Sequence, residues 1–211
     1  MSPETPESRR GAIVDAALAL VVERGFEGLR LRDVADAVGI NSATLVYHVG
    51  SKEGLIVEVV RAIMARFRGF NAERGVDFCT PDGLFGHLAT IRESMVAAPH
   101  LYLALTEIAV RARRYPQIAK ALEESLTGWT WVFRRLYGAA APSADAAQLS
   151  AWAATSIAFL WGTSLRSNAD GTLAAIAAGG EGAEKAAAAI RSAVDGYAVL
   201  IRREVAAWPS R

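Results

Sequence analysis

The sequence predicts an all-α fold, with a small N-terminal three-helix domain followed by a larger helical domain. Apolar residues recur at three- and four-residue spacings along every strongly periodic stretch. No stretch alternates apolar and polar residues as a half-exposed strand does. Proline and glycine separate the periodic stretches and leave room between them for helices of ordinary length. The 211 residues suffice for a small domain joined to a larger one.

The first helix is expected over about residues 8–24. Its apolar positions fall at i, i+3, i+4, i+7 and i+8, which places them on one face. These positions are Ile13, Ala16, Ala17, Leu20 and Val21. Gly25 follows directly, and it favours a left-handed C-cap because glycine has no Cβ to clash there.

Two short helices are expected next, joined by a tight turn. The first has one apolar side, formed by Leu31, Val34, Ala35 and Val38. Gly39 permits the turn, Ile40 fills it, and Asn41 is a suitable N-cap for the second helix. Leu45 and Val49 lie four residues apart and face the preceding helices. This is the helix-turn-helix pattern, whose second helix enters the major groove of DNA.

A specific series of residues lies between about residues 9 and 60. In order it consists of Gly25-Phe26, Asp33-Val34-Ala35, Gly39-Ile40, Thr44-Leu45, His48, Ser51-Lys52-Glu53 and Leu55. This series resembles the DNA-binding domain of the tetracycline-repressor (TetR) family, over about a quarter of the chain. The resemblance implies a helix-turn-helix domain over residues 1–51 and a helical ligand-binding and dimerisation domain over residues 52–211.

The resemblance also implies a set of DNA-binding residues. They are Arg30, Asn41, Ser42, Ala43, Thr44, Tyr47, His48 and Lys52. By analogy, Thr44, Tyr47, His48 and Lys52 hold phosphates, whereas Ser42 and Ala43 lie nearest the base edges. Arg30 stands where the family often has a capping Ser or Thr, and it is long enough to reach a phosphate. The family usually has Tyr and Phe where this chain has Val46 and Val49, so Tyr47 is the neighbouring source of a hydroxyl.

Further helices are expected over about residues 52–74, 81–97, 100–113, 116–137, 144–167 and 181–208. The Gly/Ala-rich stretch AIAAGGEG, between the last two, is expected to be a mobile linker. The first of those two helices is rich in small residues, namely Ala151, Ala154, Thr155, Ala158 and Gly162. The last carries the stripe Ile190, Val194, Tyr197, Ala198, Ile201 and Val205. By resemblance the two helices pair with their copies in a homodimer; burial within one subunit is the alternative.

Apolar residues of the middle helices are candidates for a ligand pocket. They are Met64, Phe67, Phe85, Leu88, Ile91, Met95, Tyr102, Leu105, Ile108, Trp129 and Phe133. Such a pocket would take a small, largely apolar or aromatic molecule, with His87, Tyr102 or Thr106 as a polar handle. The alternative is that these side chains form an ordinary core.

Charge and composition limit the other possibilities. Residues 1–60 carry six basic and nine acidic side chains, so the pattern, and not the charge, predicts DNA binding. The three histidines are dispersed, Cys79 is the single cysteine, and no nucleophile elbow or phosphate-binding loop is present. We therefore expect no enzyme activity, metal or cofactor. The polar N-terminus and the absence of an apolar run of about 20 residues favour a cytoplasmic protein without a membrane span.

The sequence is best interpreted as a ligand-responsive transcriptional regulator. By resemblance it would repress transcription by binding a palindromic operator as a homodimer, and a small, largely apolar molecule would release it. The alternative is a DNA-binding regulator without a small-molecule effector, acting as an activator or under the control of a protein partner.

Overall fold

The computed structural model describes residues 6–208, and that part of the chain contains ten α-helices and no strand. The helices are α1 (Pro6–Gly28), α2 (Leu31–Ala37), α3 (Ser42–Val49), α4 (Lys52–Glu73), α5 (Pro81–Ala97), α6 (Pro99–Arg111), α7 (Pro116–Ala140), α8 (Ala146–Ala169), α9 (Thr172–Ala178) and α10 (Glu181–Ala207). The all-α prediction is confirmed. The first five residues, part of the polar N-terminus interpreted above, lie outside the described residues.

Local sequence signals set the ends of the first three helices. The side chain of Asn41 caps α3 by accepting a 2.8 Å hydrogen bond from the backbone N–H of Thr44. Gly39, in the turn between α2 and α3, has a φ of 69°. Gly25 has a φ of 71° and interrupts α1, after which one more turn reaches Gly28. The predicted N-cap is therefore confirmed. Gly25 has the expected positive φ, but with a ψ of 174° it forms a break within α1 and not a left-handed C-cap.

Proline begins each of the three helices in the middle of the chain. Pro81, Pro99 and Pro116 occupy the first position of α5, α6 and α7. The backbone N–H at this position has no partner within the helix, so proline, which lacks the N–H, costs no hydrogen bond there. α6 ends at Arg111, two residues before the predicted end. A 3-10 turn over Ala112–Arg114 follows, and Tyr115 is extended because the residue before proline disfavours the helical region.

The stretch AIAAGGEG, predicted to be a mobile linker, is largely helical, because it takes in the last four residues of α9 and the first two of α10. Only Gly179 and Gly180 lie between the helices, and the mobility of the stretch stays a prediction. α9 lies between Gly171 and Gly179, both of which have positive φ, and its Leu173 is fully buried. A seven-residue helix of mostly small side chains shows no repeating apolar face. The sequence therefore carries almost no signal for it.

The chain divides into two compact units. The first unit comprises Met1–Ala65 and Leu103–Glu123, and the second comprises Arg66–Tyr102 and Glu124–Arg211. Helices α4, α6 and α7 each contribute residues to both units. The domain boundary between residues 51 and 52 was inferred from the family resemblance, and it stays a prediction.

Each unit has its own buried core. In the first unit Ile13, Phe26 and Leu45 are completely buried. In the second unit a hydrogen-bonded trio lies within the apolar core: the Ser156 hydroxyl is 2.7 Å from that of Tyr137 and 3.0 Å from that of Tyr197. These contacts fix α7, α8 and α10 against one another, since buried polar groups are stable only when they are paired.

Candidate functional site

Helix α3 presents one face to solvent and the other to the core of the first unit. Leu45 is completely buried, whereas Ser42, Ala43 and Tyr47 are exposed. Tyr47 is 87% exposed, an unusual degree for an aromatic side chain. The exposed face therefore combines small residues near the helix N-terminus with one protruding phenol.

The other residues predicted to bind DNA surround this face. Thr44 and His48 are partly exposed on α3, and the His48 ring meets the edge of the Tyr47 ring at 5.6 Å between centroids. Asn41 is exposed and caps α3. Arg30 is exposed immediately before α2 and makes no side-chain capping bond. All of them belong to the first unit.

The two valines at the family's aromatic positions differ in burial. Val46 is 43% exposed, whereas Val49 is partly buried. Val49 can therefore fill space at the end of α3 as the larger family residue would. Val46 adds only a branched apolar side chain to the exposed face, so the hydroxyls there belong to Ser42, Thr44 and Tyr47.

Gly54 brings the end of α3 close to the start of α4, a role that the local sequence pattern did not indicate. A Cβ at this position would lie 2.3 Å from the carbonyl oxygen of Val49, so only glycine fits without movement of the backbone. The N–H of Gly54 donates to the Ser51 hydroxyl oxygen over 3.1 Å and so caps the first turn of α4. These contacts place Lys52 directly after the recognition helix.

Lys52 lies over an aromatic ring of the first unit. Its Nζ is 4.8 Å from the centroid of Phe26, a cation–π contact. Burial lowers the pKa of Lys52, and the carboxylates of Glu27 and Glu53 oppose that shift. The contact holds the ammonium group at the start of α4, where the family resemblance places a phosphate.

Glu107, which is distant in sequence, holds the backbone of Phe26 in place. Oε1 of Glu107, on α6, accepts a 3.2 Å hydrogen bond from the N–H of Phe26. Arg111 forms an ion pair with Glu107 at 2.7 Å and a longer one with Glu27 at 3.8 Å. No local pattern in the sequence indicates this link, because its partners are 81 residues apart.

Ion pairs between helices neutralise some of the acidic side chains within residues 1–60. Asp33 of α2 accepts from Arg24 of α1 at 2.9 Å. Glu58 of α4 pairs with Arg10 of α1 at 3.0 Å. These pairs leave the carboxylates with local partners, which weakens their repulsion of an approaching phosphate backbone.

Part of the predicted ligand set forms an aromatic cluster in the second unit. The ring of Phe67 is 4.9 Å from that of Tyr102 and 5.9 Å from that of Trp129, between centroids. The hydroxyl of Tyr102 is 2.6 Å from Oγ of Ser94, and burial raises its pKa. We refer to Phe67, Tyr102 and Trp129 as the aromatic cluster; it joins α4, α6 and α7.

The remaining candidates are divided between the two units. Phe85, Leu88, Ile91 and Phe133 belong to or pack against the main core of the second unit. Met95 is also buried there. Met64, Leu105 and Ile108 are buried residues of the first unit. Their role in ligand binding stays a prediction.

Helices α8 and α10 bury one face and expose another. The buried face of α10 includes Ile190, Val194 and Ile201. The outer faces carry exposed large apolar residues, namely Leu165, Val199 and Leu200. The small residues named for α8, Ala151, Ala154, Thr155, Ala158 and Gly162, are all exposed.

Residues 6–208 show neither a metal site nor a membrane-spanning helix. Within that range no group of three or more His, Cys, Asp or Glu side chains is arranged to hold a metal ion. None of the helices described there is both long enough and apolar enough to cross a membrane.

The helix-turn-helix region matches known regulators in sequence. Residues 13–59 match the family model described as bacterial regulatory proteins, tetR family. The HTH-type transcriptional repressor KstR2 of Mycobacterium tuberculosis is 40% identical over 65 residues, covering 29% of this chain and 32% of that protein. The tetracycline repressor protein class D of Escherichia coli is 37% identical over 62 residues, covering 29% and 28%. The match spans about a third or less of these relatives' length.

The fold of nearly the whole chain matches solved structures. A TetR transcription regulator from Haloarcula marismortui has a TM-score of 0.70 at 16% identity, covering 90% of this chain and 98% of that one. The fatty acid degradation regulator FadR from Bacillus halodurans has a TM-score of 0.65 at 14% identity, covering 92% and 95%. Residues 13–59 therefore belong by sequence to the tetR family of bacterial regulatory proteins, and nearly the whole chain shares the fold of the two solved regulators.

Proposed function

We propose that the protein is a transcriptional repressor that binds a palindromic operator as a homodimer and is released by a small, largely apolar molecule. The observation that carries this proposal is the exposed face of α3, with Ser42, Ala43 and Tyr47 in solvent and Leu45 anchored in the core. A recognition helix needs both properties, since it must be rigidly held and must present side chains to the groove.

The chemistry of this face suits the two kinds of DNA contact. Ser42 and Ala43 are small and stand at the N-terminus of α3, where backbone N–H groups attract phosphate and short side chains permit close approach to base edges. Tyr47 offers a hydroxyl that can donate to a phosphate oxygen. The ammonium of Lys52 adds a positive charge at the start of α4.

A homodimer is supported by the outer faces of α8 and α10. Leu165, Val199 and Leu200 are at least half exposed in the single chain, which is unfavourable for side chains of this size. The exposed small residues of α8 would let a second helix approach closely, and the apolar side chains would fill the interface. A dimer would also supply the two-fold symmetry that a palindromic operator requires.

Ligand response is supported by the helices that the two units share. Tyr102 of the aromatic cluster and Glu107, which holds the Phe26 backbone, lie five residues apart on α6. α4 likewise begins with Lys52 and carries Phe67 fifteen residues later. A ligand that displaced Phe67 or Tyr102 would move α4 and α6, and we propose that this changes the spacing of the two recognition helices in a dimer. Release would follow if the ligand preferred a spacing that does not match the operator.

Repression, as opposed to activation, is proposed from the relatives. The KstR2 protein and the tetracycline repressor are both named as repressors, and the chain shares their helix-turn-helix. Only that domain matches them in sequence, so the nature of the ligand does not transfer.

The proposal is tested by a mobility-shift assay with the intergenic DNA upstream of the chain's own coding sequence. We expect a discrete shift, at a fixed salt concentration, that survives an excess of random DNA and contains two chains per site. A shift that random DNA competes away equally well would contradict the proposal.

A further inference from the structure

His87 is a buried histidine of the second unit that is only half hydrogen-bonded. It lies on α5 and retains 8% of its surface accessible. Its Nδ1 is 2.8 Å from Oδ1 of Asn71, on α4. The rings of Phe78 and Phe133 lie 5.9 and 5.1 Å from the imidazole, between centroids. The imidazole therefore sits in aromatic surroundings with one side held by an amide.

The orientation of Asn71 determines which imidazole nitrogen carries the proton. Nδ2 of Asn71 donates to the backbone carbonyl of Phe67 over 3.2 Å, which turns Oδ1 toward His87. Because an amide oxygen can only accept, Nδ1 of His87 must be the donor. Burial lowers the pKa of His87 to about 4, so the ring is neutral at pH 7. A neutral ring protonated at Nδ1 leaves an acceptor lone pair at Nε2.

This lone pair has no partner within the described part of the chain. His87 makes the Asn71 bond and no other among those residues. Among the described residues, Nε1 of Trp161 is the one side-chain N or O atom that is both fully buried and unpaired. Since Nε2 of His87 is also unpaired, it must retain some accessible surface. The accessible fraction of the side chain therefore includes an unsatisfied acceptor.

The other two predicted polar handles differ from His87. Oγ of Ser94 donates to the carbonyl of Ile91 over 2.8 Å and so accepts from the hydroxyl of Tyr102. Thr106 also has a partner. An accessible acceptor without a partner in the protein can accept a hydrogen bond from a bound molecule. Of the three handles, His87 is the one with capacity left for a ligand.

We infer that Nε2 of His87 is the polar anchor of the ligand site and accepts a hydrogen bond from a neutral hydroxyl or amide N–H on an otherwise apolar molecule. The inference rests on the proposed ligand response and specifies its chemistry. A carboxylate cannot donate to Nε2. A cation would gain no ion pair from the recorded neighbours of the imidazole, which are an amide and two aromatic rings. The aromatic rings around the imidazole suit an apolar or aromatic body.

The first test needs no ligand. Nitrogen-15 NMR of the histidine side chains in the intact protein, with His87 assigned through His87→Phe, reports which ring nitrogen is protonated. We expect the proton on Nδ1 at pH 7. A proton on Nε2, or a charged imidazolium, would overturn the inference because neither leaves an acceptor lone pair at Nε2.

The second test uses phenol and anisole, which differ by the hydroxyl proton. Phenol should shift the Nε2 resonance of His87 and bind about fivefold more tightly than anisole, the effect of one neutral hydrogen bond. His87→Phe keeps an aromatic ring, and in this variant the preference should vanish. Equal affinities in the wild type, or no response of Nε2 to phenol, would overturn the inference.

Neither test uses DNA, so the His87 anchor and the proposed DNA binding are tested independently. A protein that binds its operator but shows no phenol preference retains the proposed DNA binding and loses the anchor. A protein that shows the phenol preference but does not bind DNA retains the anchor and loses the proposed function.

Discussion

The backbone N–H of Phe26 donates a 3.2 Å hydrogen bond to Oε1 of Glu107, and so joins the end of α1 to α6 within the first unit. Glu107 is at the same time 2.7 Å from Arg111. The Phe26 ring is completely buried, with Lys52 over it and Tyr115 4.9 Å away between centroids. The start of the helix-turn-helix is therefore held by a carboxylate from the middle of the chain.

The contribution of this hydrogen bond can be separated from that of the ion pair. Glu107→Gln retains an oxygen that can accept from Phe26 and loses the charge, so we expect a loss of at most about 1 kcal/mol. Glu107→Ala leaves a part-buried N–H without an acceptor and should cost about 1–3 kcal/mol. Urea denaturation of both variants measures the difference. Equal losses would show that the acceptor at residue 107 is unimportant.

Gly25 is constrained both by its backbone and by Glu107. Its φ is 71°, and an added Cβ would lie 2.8 Å from Oε1 of Glu107. We expect Gly25→Ala to destabilise the protein by about 1–2 kcal/mol. Gly11→Ala is the matched control on the same helix. It meets no atom within 4 Å and should stabilise α1 by about 0.5–1 kcal/mol. Thermal denaturation of the pair should therefore give shifts of opposite sign.

His87 should make stability fall on acidification. Its pKa in the folded protein is lowered from 6.5 to about 4. Above pH 6.5 the imidazole is neutral in both the folded and the unfolded state. As the pH falls below 6.5, the imidazole gains a proton in the unfolded chain but not in the folded one. Stability therefore decreases until about pH 4, where the folded state is protonated as well. The loss is about 1.4 kcal/mol per pH unit, roughly 3 kcal/mol in all. The difference in unfolding free energy between wild type and His87→Gln, measured from pH 7 to pH 4, should change by this amount. A constant difference would contradict the burial of a neutral imidazole.

Tyr47 should contribute to DNA affinity without contributing to stability. Its side chain is 87% exposed, so Tyr47→Ala should leave the melting temperature unchanged. If the hydroxyl holds a phosphate, all DNA sequences should bind more weakly, by about 1.5–3 kcal/mol. Fluorescence anisotropy with upstream and random DNA distinguishes the two roles. Loss confined to the upstream sequence would assign Tyr47 to base recognition instead.

The outer face of α10 should determine the oligomeric state. Leu200 is 58% exposed, so Leu200→Glu should be tolerated by the folded chain but should place a carboxylate in the proposed interface. Sedimentation velocity should show a dimer for the wild type and a monomer for this variant. Val110→Glu is the control, because Val110 is 66% exposed on α6, outside the proposed interface. A dimer that survives Leu200→Glu would place the interface elsewhere.

The sequence predicted the features that depend on near neighbours. Asn41 as an N-cap, Gly25 with positive φ and the proline starts of α5 and α7 each follow from the conformational preference of one residue. α6 begins at Pro99, one residue before its predicted start. It could not predict the Phe26–Glu107 bond, because nothing local relates residues 81 positions apart. It also missed α9, where Leu173 is the single fully buried anchor of a helix of small residues.

The candidate site was predictable to a similar extent. The helix-turn-helix spacing placed Ser42, Ala43 and Tyr47 on an exposed face, and the structure has them there. His87 was one of three equal polar candidates in the sequence. Its free acceptor became evident only from the orientation of Asn71, which depends on the backbone of α4.

The central claim is that the exposed face of α3 recognises one DNA sequence, and the ratio of affinities for upstream and random DNA tests it most directly. At a fixed salt concentration we predict a ratio of about a thousand or more for the wild type. Ala43→Glu, which places a carboxylate on this face, should reduce the ratio to near one, whereas Thr127→Glu on the exposed side of α7 should not. A wild-type ratio near one, or an Ala43→Glu variant that keeps the full ratio, would contradict the claim.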